Sequence, residues 1–215
     1  HIMNFNFTEE QQEFIKLAKD FGEKKLLPTI TERDHQGVFD EALVEEMLGL
    51  GLAGAYFEEK YGGAECDVLS YILAVEELAK YDAGMSITLS ATVSLCANPI
   101  WQFGTEEQKE KYLTPLVEGT KLGAFGLTEP NAGTDASGQQ TVATKDENGD
   151  YIINGSKVFI TNAGAADIYI IFAMTDKTQG TKGISAFIIE KGFEGFSVQG
   201  HEMKMGIRGS STCSL

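Results

Sequence analysis

Apolar residues recur at helical spacing as far as Gly119, then give way to short runs dense in β-branched and aromatic side chains. Thr8-Glu9-Glu10-Gln11 is a capping box ahead of Phe14, Leu17, Ala18 and Phe21, with charged residues on the other face. Pro28 ends or interrupts that helix. Asp40 caps a second helix striped by Leu43, Val44, Met47 and Leu48. Asp67 opens a third, with Leu69, Ile72, Leu73, Val75 and Leu78 inside. Segment 85–103 is apolar nearly all round, which predicts a central, buried helix. A second capping box, Thr105-Glu106-Glu107-Gln108, starts a helix that stops near Glu118-Gly119.

Strands are predicted at 122–127, 141–145, 151–154, 157–161, 168–174, 183–190 and 196–201. Asp146-Glu147-Asn148-Gly149-Asp150 reads as a hairpin loop and Gln179-Gly180 as a further breaker. Helices followed by strands imply an α+β chain: an all-α domain over 4–119, then a small antiparallel β-sheet or barrel domain over 120–215. His1-Ile2 ahead of Met3 reads as a cloning scar before the start methionine. Residues 209–215 look like the opening of another strand with nothing to close it, so a truncated chain or a missing partner piece is expected.

Charge narrows the possible roles. Seventeen basic against 32 acidic residues give a net charge of −15, which repels phosphate backbones and anionic lipid and argues against nucleic-acid and membrane partners. The polar residues within 85–103 make a buried helix the better reading than a membrane span. Cys66, Cys96 and Cys213 lie far apart without a C-x-x-C pair, favouring a reducing, cytoplasmic setting. His35 and His201 lack ligand spacing, so no metal site is expected.

Gly49-Leu50-Gly51-Leu52-Ala53-Gly54 matches the dinucleotide pattern G-x-G-x-x-G, but a helix precedes it where a strand is required. Glycines stopping a helix account for it better. Lys204 and Arg208 flank glycines and suit either a phosphate or solvent.

The stretch Gly126-Leu127-Thr128-Glu129-Pro130-Asn131-Ala132-Gly133-Thr134-Asp135-Ala136-Ser137-Gly138 leaves a strand, turns at Pro130 and becomes small and hydroxyl-rich. Such a loop offers backbone N–H groups and hydroxyls at close range, suited to a phosphate or a flat heterocycle. As a string it resembles the signature of the acyl-CoA dehydrogenase family. Gly155-Ser156-Lys157-Val158-Phe159-Ile160-Thr161-Asn162, Lys204-Met205-Gly206-Ile207-Arg208-Gly209-Ser210-Ser211-Thr212, Tyr61-Gly62-Gly63, Val75-Glu76-Glu77-Leu78-Ala79 and Gly104-Thr105-Glu106-Glu107-Gln108-Lys109 extend the likeness along the chain. It is nearest to bacterial short-chain, butyryl-CoA-type members.

The resemblance implies FAD as cofactor and short-chain acyl-CoA as substrate. It also implies electron transfer to an electron-transfer flavoprotein, a homotetrameric assembly and a role in fatty acid metabolism. The backbone of Phe125 and Leu127 and the Thr128 hydroxyl would meet the flavin ring, Gly133 and Thr134 its pyrophosphate and the CoA arm. Phe159, Ile160 and Thr161 would lie along the flavin face. Thr88, Ala91 and Leu95 would line the acyl pocket, with Thr134 and Arg208 as further substrate contacts. Leu50, Leu52 and Ala74 match positions for docking of the redox partner. The family's catalytic glutamate lies in a C-terminal helical domain that has no counterpart in this sequence, so no catalytic residue is assigned and the chain alone is expected to be inactive. A non-catalytic FAD- or acyl-CoA-binding or interaction module is the alternative reading.

Overall fold

The computed structural model describes residues 4–215; the cloning-scar reading of His1, Ile2 and Met3 lies outside the described residues. The chain forms two compact units. Among the described residues, 4–121 and 204–210 make up the first, 122–203 and 211–215 the second. Segment 204–210 therefore folds with the helices, whereas the sequence reading runs the β half unbroken to 215.

In the helical unit, α1 spans Glu9–Phe21 and opens on Thr8, whose hydroxyl accepts from the Gln11 amide while the Gln11 side chain accepts from the Thr8 amide. A π-helical turn, Gly22–Leu26, carries it to the bend at Pro28. Helix α2, Ile30–Gln36, is not predicted by the apolar pattern. Helix α3, Glu41–Leu48, is capped by Asp40, and α4, Val68–Tyr81, by Asp67. Asp82 caps α5, Ala83–Ser90, which runs through a π-helical stretch, Ala91–Ala97, into α6, Asn98–Phe103. Short 3-10 turns, Leu52–Gly54 and Glu59–Tyr61, lie between α3 and α4. Helix α7, Glu106–Gln108, opened by the second capping box, runs through a π-helical stretch, Lys109–Leu113, into α8, Thr114–Val117. Ala18, Phe21, Val44, Met47, Leu48, Leu73 and Leu78 of the predicted stripes are buried. Leu17, Leu69 and Ile72 are instead 37%, 44% and 47% exposed, so α4 turns Tyr71, Ala74 and Leu78 inward where the pattern predicts Leu69 and Ile72.

The second unit holds a five-stranded and a three-stranded sheet. β1 (Gly123–Gly126) pairs parallel with β5 (Ile168–Met174), and β6 (Ile184–Glu190) pairs antiparallel with β5 along its whole length. β2 (Val142–Lys145) and β3 (Tyr151–Asn154) form the predicted hairpin, closed by the Asp146 amide donating to the Asp150 carbonyl. β2 also meets β5 in parallel at Val142 and Met174. β4 (Ile160–Thr161), β8 (Thr212–Ser214) and β7 (Gln199–His201) make the antiparallel second sheet. The α+β order holds. The β unit is mixed rather than wholly antiparallel, because β1 and β2 both run alongside β5, and its two sheets close no barrel. Ala124, Ile160, Ala163, Ala166, Tyr169, Ile171 and Cys213 form its core.

Candidate functional site

Strand β1 ends at Gly126, where a Cβ would lie 2.5 Å from Ile171 Cδ1, so any larger residue would require that side chain to move. Phe125, half-buried, packs edge-on against Phe172 at 5.1 Å between ring centroids. Loop 128–140 follows. Glu129 and Ala132 exchange backbone hydrogen bonds at 3.1 Å, making the tight turn around Pro130. The amide of Gly138 donates to the Asp135 carbonyl, and the Ser137 hydroxyl to the Asp135 carboxylate. Gly133 and Thr134 are exposed, while Leu127 and Thr128 are half-buried.

Beneath the loop lies an ion pair that no motif announced. The Lys157 ammonium sits 2.7 Å from Glu129 Oε1, with the two side chains 2% and 4% exposed. It also donates to the Leu127 carbonyl at 3.0 Å and to Gln139 Oε1 at 3.2 Å. The Glu129 carboxylate accepts from the amides of Gln140 and Thr141. Burial alone would push the Glu129 carboxyl up, but Lys157 and these donors outweigh it and hold it below the usual carboxylate range. A lysine inside a run of strand-forming residues was the only sequence signal for this pair.

Residues 157–162 run beside the loop, the Val158 amide donating to the Thr128 carbonyl at 2.9 Å. Phe159 (φ 60°) and Asn162 (φ 66°) both adopt the left-handed conformation, which restricts the predicted strand to Ile160–Thr161. Asn162 is fully buried and its Nδ2 donates to the Gly123 carbonyl at 2.9 Å, repaying its backbone strain. Phe159 has no such return: the residue is 64% exposed. The structure thus brings Thr128, Phe159 and Thr161 onto one connected set of elements with the exposed loop residues Gly133 and Thr134. Ile160 departs from the expectation, because its side chain belongs to the core and only its backbone can face a ligand.

Two features fit a flat aromatic group carrying a diphosphate. Nothing lies within 4 Å of a Cβ built on Gly133, so no internal packing demands glycine there and the backbone stands open to close approach. A strained, exposed aromatic ring is what a stacking partner would use.

In the helical unit, several expectations are corrected. Thr88 and Ala91 are buried, and the Thr88 hydroxyl donates to the Gly84 carbonyl at 2.9 Å; of the three acyl-pocket candidates only Leu95, 41% exposed, offers surface. Leu95 lies within the π-helical stretch Ala91–Ala97, whose wider turn carries it off the face of Thr88. Arg208 is no free cation: Nε donates to the Asp34 carbonyl, one terminal nitrogen to the Lys204 carbonyl and the other to the His35 carbonyl. Its guanidinium staples segment 204–210 to the end of α2. Leu52 and Ala74 are fully buried and cannot receive a docking partner, leaving only Leu50 partly accessible. Gly49 ends α3 and Gly51 takes a left-handed φ of 80°, so the G-x-G-x-x-G match is a helix stop.

Known proteins resemble the chain along nearly its whole length. The acyl-CoA dehydrogenase N-terminal domain family matches residues 8–120, and the middle domain family residues 124–215. The short-chain specific acyl-CoA dehydrogenase of Megasphaera elsdenii is 72% identical over 99% of this chain, which spans 56% of that relative's length. The solved structure of butyryl-CoA dehydrogenase from the same organism superposes with a TM-score of 0.97, at 72% identity, over 99% of this chain and 56% of that one. The FAD complex of PigA, at 36% identity, gives a TM-score of 0.92 over 99% of this chain and 56% of that one. A chain from work on the electron transferring flavoprotein of Acidaminococcus fermentans and flavin-based electron bifurcation gives 0.97 at 58% identity, with the same coverage. Two family models covering nearly the whole described chain, and an identity of 72%, settle the relationship: this chain belongs to the acyl-CoA dehydrogenase family.

Proposed function

We propose that this chain supplies the FAD- and acyl-CoA-binding portion of a short-chain acyl-CoA dehydrogenase, which converts acyl-CoA to trans-2-enoyl-CoA. When bound, FAD supplies an acceptor strong enough to take hydride from an unactivated β-carbon. The backbone at Phe125 and Leu127 and the Thr128 hydroxyl hydrogen-bond the ring's polar edge. Such donors favour the negative charge that a flavin gains on reduction. Gly133 lets the backbone approach a phosphate, and the Thr134 hydroxyl donates to that phosphate or to the CoA arm. The Phe159 ring forms a flat wall, and the Thr161 hydroxyl adds a donor beside it. Leu95 supplies apolar surface for the acyl chain. Glu129 is not the base that takes the α-proton, since its carboxylate is committed to Lys157 and two amides. Electrons pass to an electron-transfer flavoprotein, and the whole protein assembles as a cytoplasmic homotetramer serving fatty acid metabolism.

The observation that carries this reading is the exposed, left-handed Phe159 held one residue from the Val158–Thr128 hydrogen bond. The test is titration of the protein with FAD, followed by flavin fluorescence. Saturable binding that weakens in Thr128→Ala, by the ~1–3 kcal/mol of a lost buried donor, supports it. Equal binding by the variant, or no binding by the parent protein, overturns it.

A further inference from the structure

We propose that the buried Lys157–Glu129 pair is the clasp of loop 128–140, a pair of positioning residues that hold the loop in the shape that receives a flat heterocycle with a diphosphate. The inference rests on the FAD-binding reading and extends it to two residues that need not touch the ligand.

Both ends of the loop converge on this one pair. From the entering side come the Leu127 carbonyl and Glu129 itself. From the leaving side come the Gln139 side chain and the amides of Gln140 and Thr141. The intervening residues are held mainly by local turns, the Glu129–Ala132 exchange and the Asp135–Gly138 bond, and Asn131, Gly133, Thr134, Asp135 and Ser137 are exposed. A loop so open keeps one shape only if its ends are fixed.

The other side of the clasp is rigid. Lys157 exchanges backbone hydrogen bonds with Leu215, at 2.9 and 2.8 Å, and the next amide, that of Val158, holds the Thr128 carbonyl. One short segment therefore anchors the ammonium, fixes Thr128 from the backbone and presents Phe159.

Stability alone does not explain such a pair. Two charges this deeply buried lose their hydration, and well-packed apolar residues of similar volume serve a core equally well or better. An ammonium with three acceptors in three directions does something an apolar side chain cannot: it fixes the relative positions of Leu127, Glu129 and Gln139. Burial draws the Lys157 ammonium below its usual range and Glu129 only partly restores it, so the charge is kept at a cost.

The test is the double variant Lys157→Met with Glu129→Gln, which removes both charges together and leaves neither uncompensated. Three quantities are read: the melting temperature, hydrogen exchange in the peptide covering 128–140, and the FAD dissociation constant. The expected result is a melting temperature close to the parent's, exchange in that peptide faster by about tenfold, and an FAD dissociation constant higher by about 10–100-fold, the scale on which outer partners of a bound group act. Glu129→Gln alone strands the buried Lys157 ammonium without its counter-charge and turns an NH2 toward the Gln140 and Thr141 amides, so it should move exchange and affinity in the same direction as the double variant. If the double variant fails to fold, the same readings on Glu129→Gln decide, with a rise in both exchange and dissociation constant expected. Unchanged exchange overturns the clasp. Faster exchange with unchanged FAD affinity overturns the positioning role. Faster exchange in a protein whose parent form binds no FAD overturns the FAD reading and leaves the clasp as a device for some other ligand of the loop.

Discussion

Arg33 and Asp82 meet at 2.6 Å with their side chains 8% and 3% exposed, and each does a second job. The other carboxylate oxygen of Asp82 accepts from the Met85 amide and so caps α5. Arg33 also donates to the Thr29 hydroxyl and the Leu26 carbonyl. One ion pair thereby ties the bend around Pro28 to the first turn of the central helix.

Asp82→Ala should cost the helical unit about 3–5 kcal/mol, since it leaves a buried guanidinium without its carboxylate. Asp82→Asn keeps a capping oxygen and should be milder by about 1 kcal/mol. Urea unfolding followed by the fluorescence of Trp101, the protein's single tryptophan and part of the helical unit, measures both. Equal losses in the two variants would show that the cap contributes nothing.

Glu106 offers a pH test. The Tyr61 hydroxyl, 2.8 Å away, is the largest influence, and with Lys109 and Lys60 it holds the carboxyl at about 2 against an ordinary 4.5. A depressed carboxylate stabilises the fold above its unfolded value, and that contribution is lost as pH falls from 4.5 towards 2. Tyr61→Phe should move the Glu106 midpoint, read by NMR, up towards 4.5 and carry the loss of stability to higher pH. An unmoved midpoint would assign the shift to the lysines.

Wherever a feature of the fold is local, the sequence shows it. Thr8, Asp40, Asp67 and Thr105 announce helix starts because a cap needs only a side chain and an amide three residues on. Helix α2 escapes notice because Ile30 is its one large apolar residue, although left-handed Gly37 marks its end. Strand 157–161 is over-read because nothing in Val158-Phe159-Ile160 reveals that Phe159 turns left-handed. The ligand loop is legible as a string, yet the partnership of Glu129 with Lys157 spans 28 residues and needs the fold to appear. Arg208 and Leu52 mislead for the same reason: sequence gives charge and hydropathy, whereas exposure and partners come from packing.

Arg208→Lys should behave nearly as badly as Arg208→Ala. Three acceptors, the carbonyls of Asp34, His35 and Lys204, surround one planar guanidinium, and a lysine's point charge cannot reach them all. Hydrogen exchange in segment 204–210 should rise in both variants. Protection preserved in Arg208→Lys would mean that charge, and not geometry, holds the segment.

Phe159 sets stability against binding. A non-glycine residue held at φ 60° costs about 1–3 kcal/mol, and the exposed ring returns little of it through burial. Phe159→Gly removes the strain and should raise the melting temperature of the β unit, by roughly 1 kcal/mol of stability after glycine's own entropy loss. Phe159→Ala keeps the strained backbone and should leave the melting temperature near the parent's. Both variants lose the flat wall, so both should bind FAD more weakly, and by similar amounts. This pairing separates the two roles, because only one variant relieves the backbone while both delete the ring. If FAD affinity is unchanged in both, the ring is not part of the flavin site. If Phe159→Gly lowers the melting temperature, the ring is packing against its own chain and the strain is repaid within the fold.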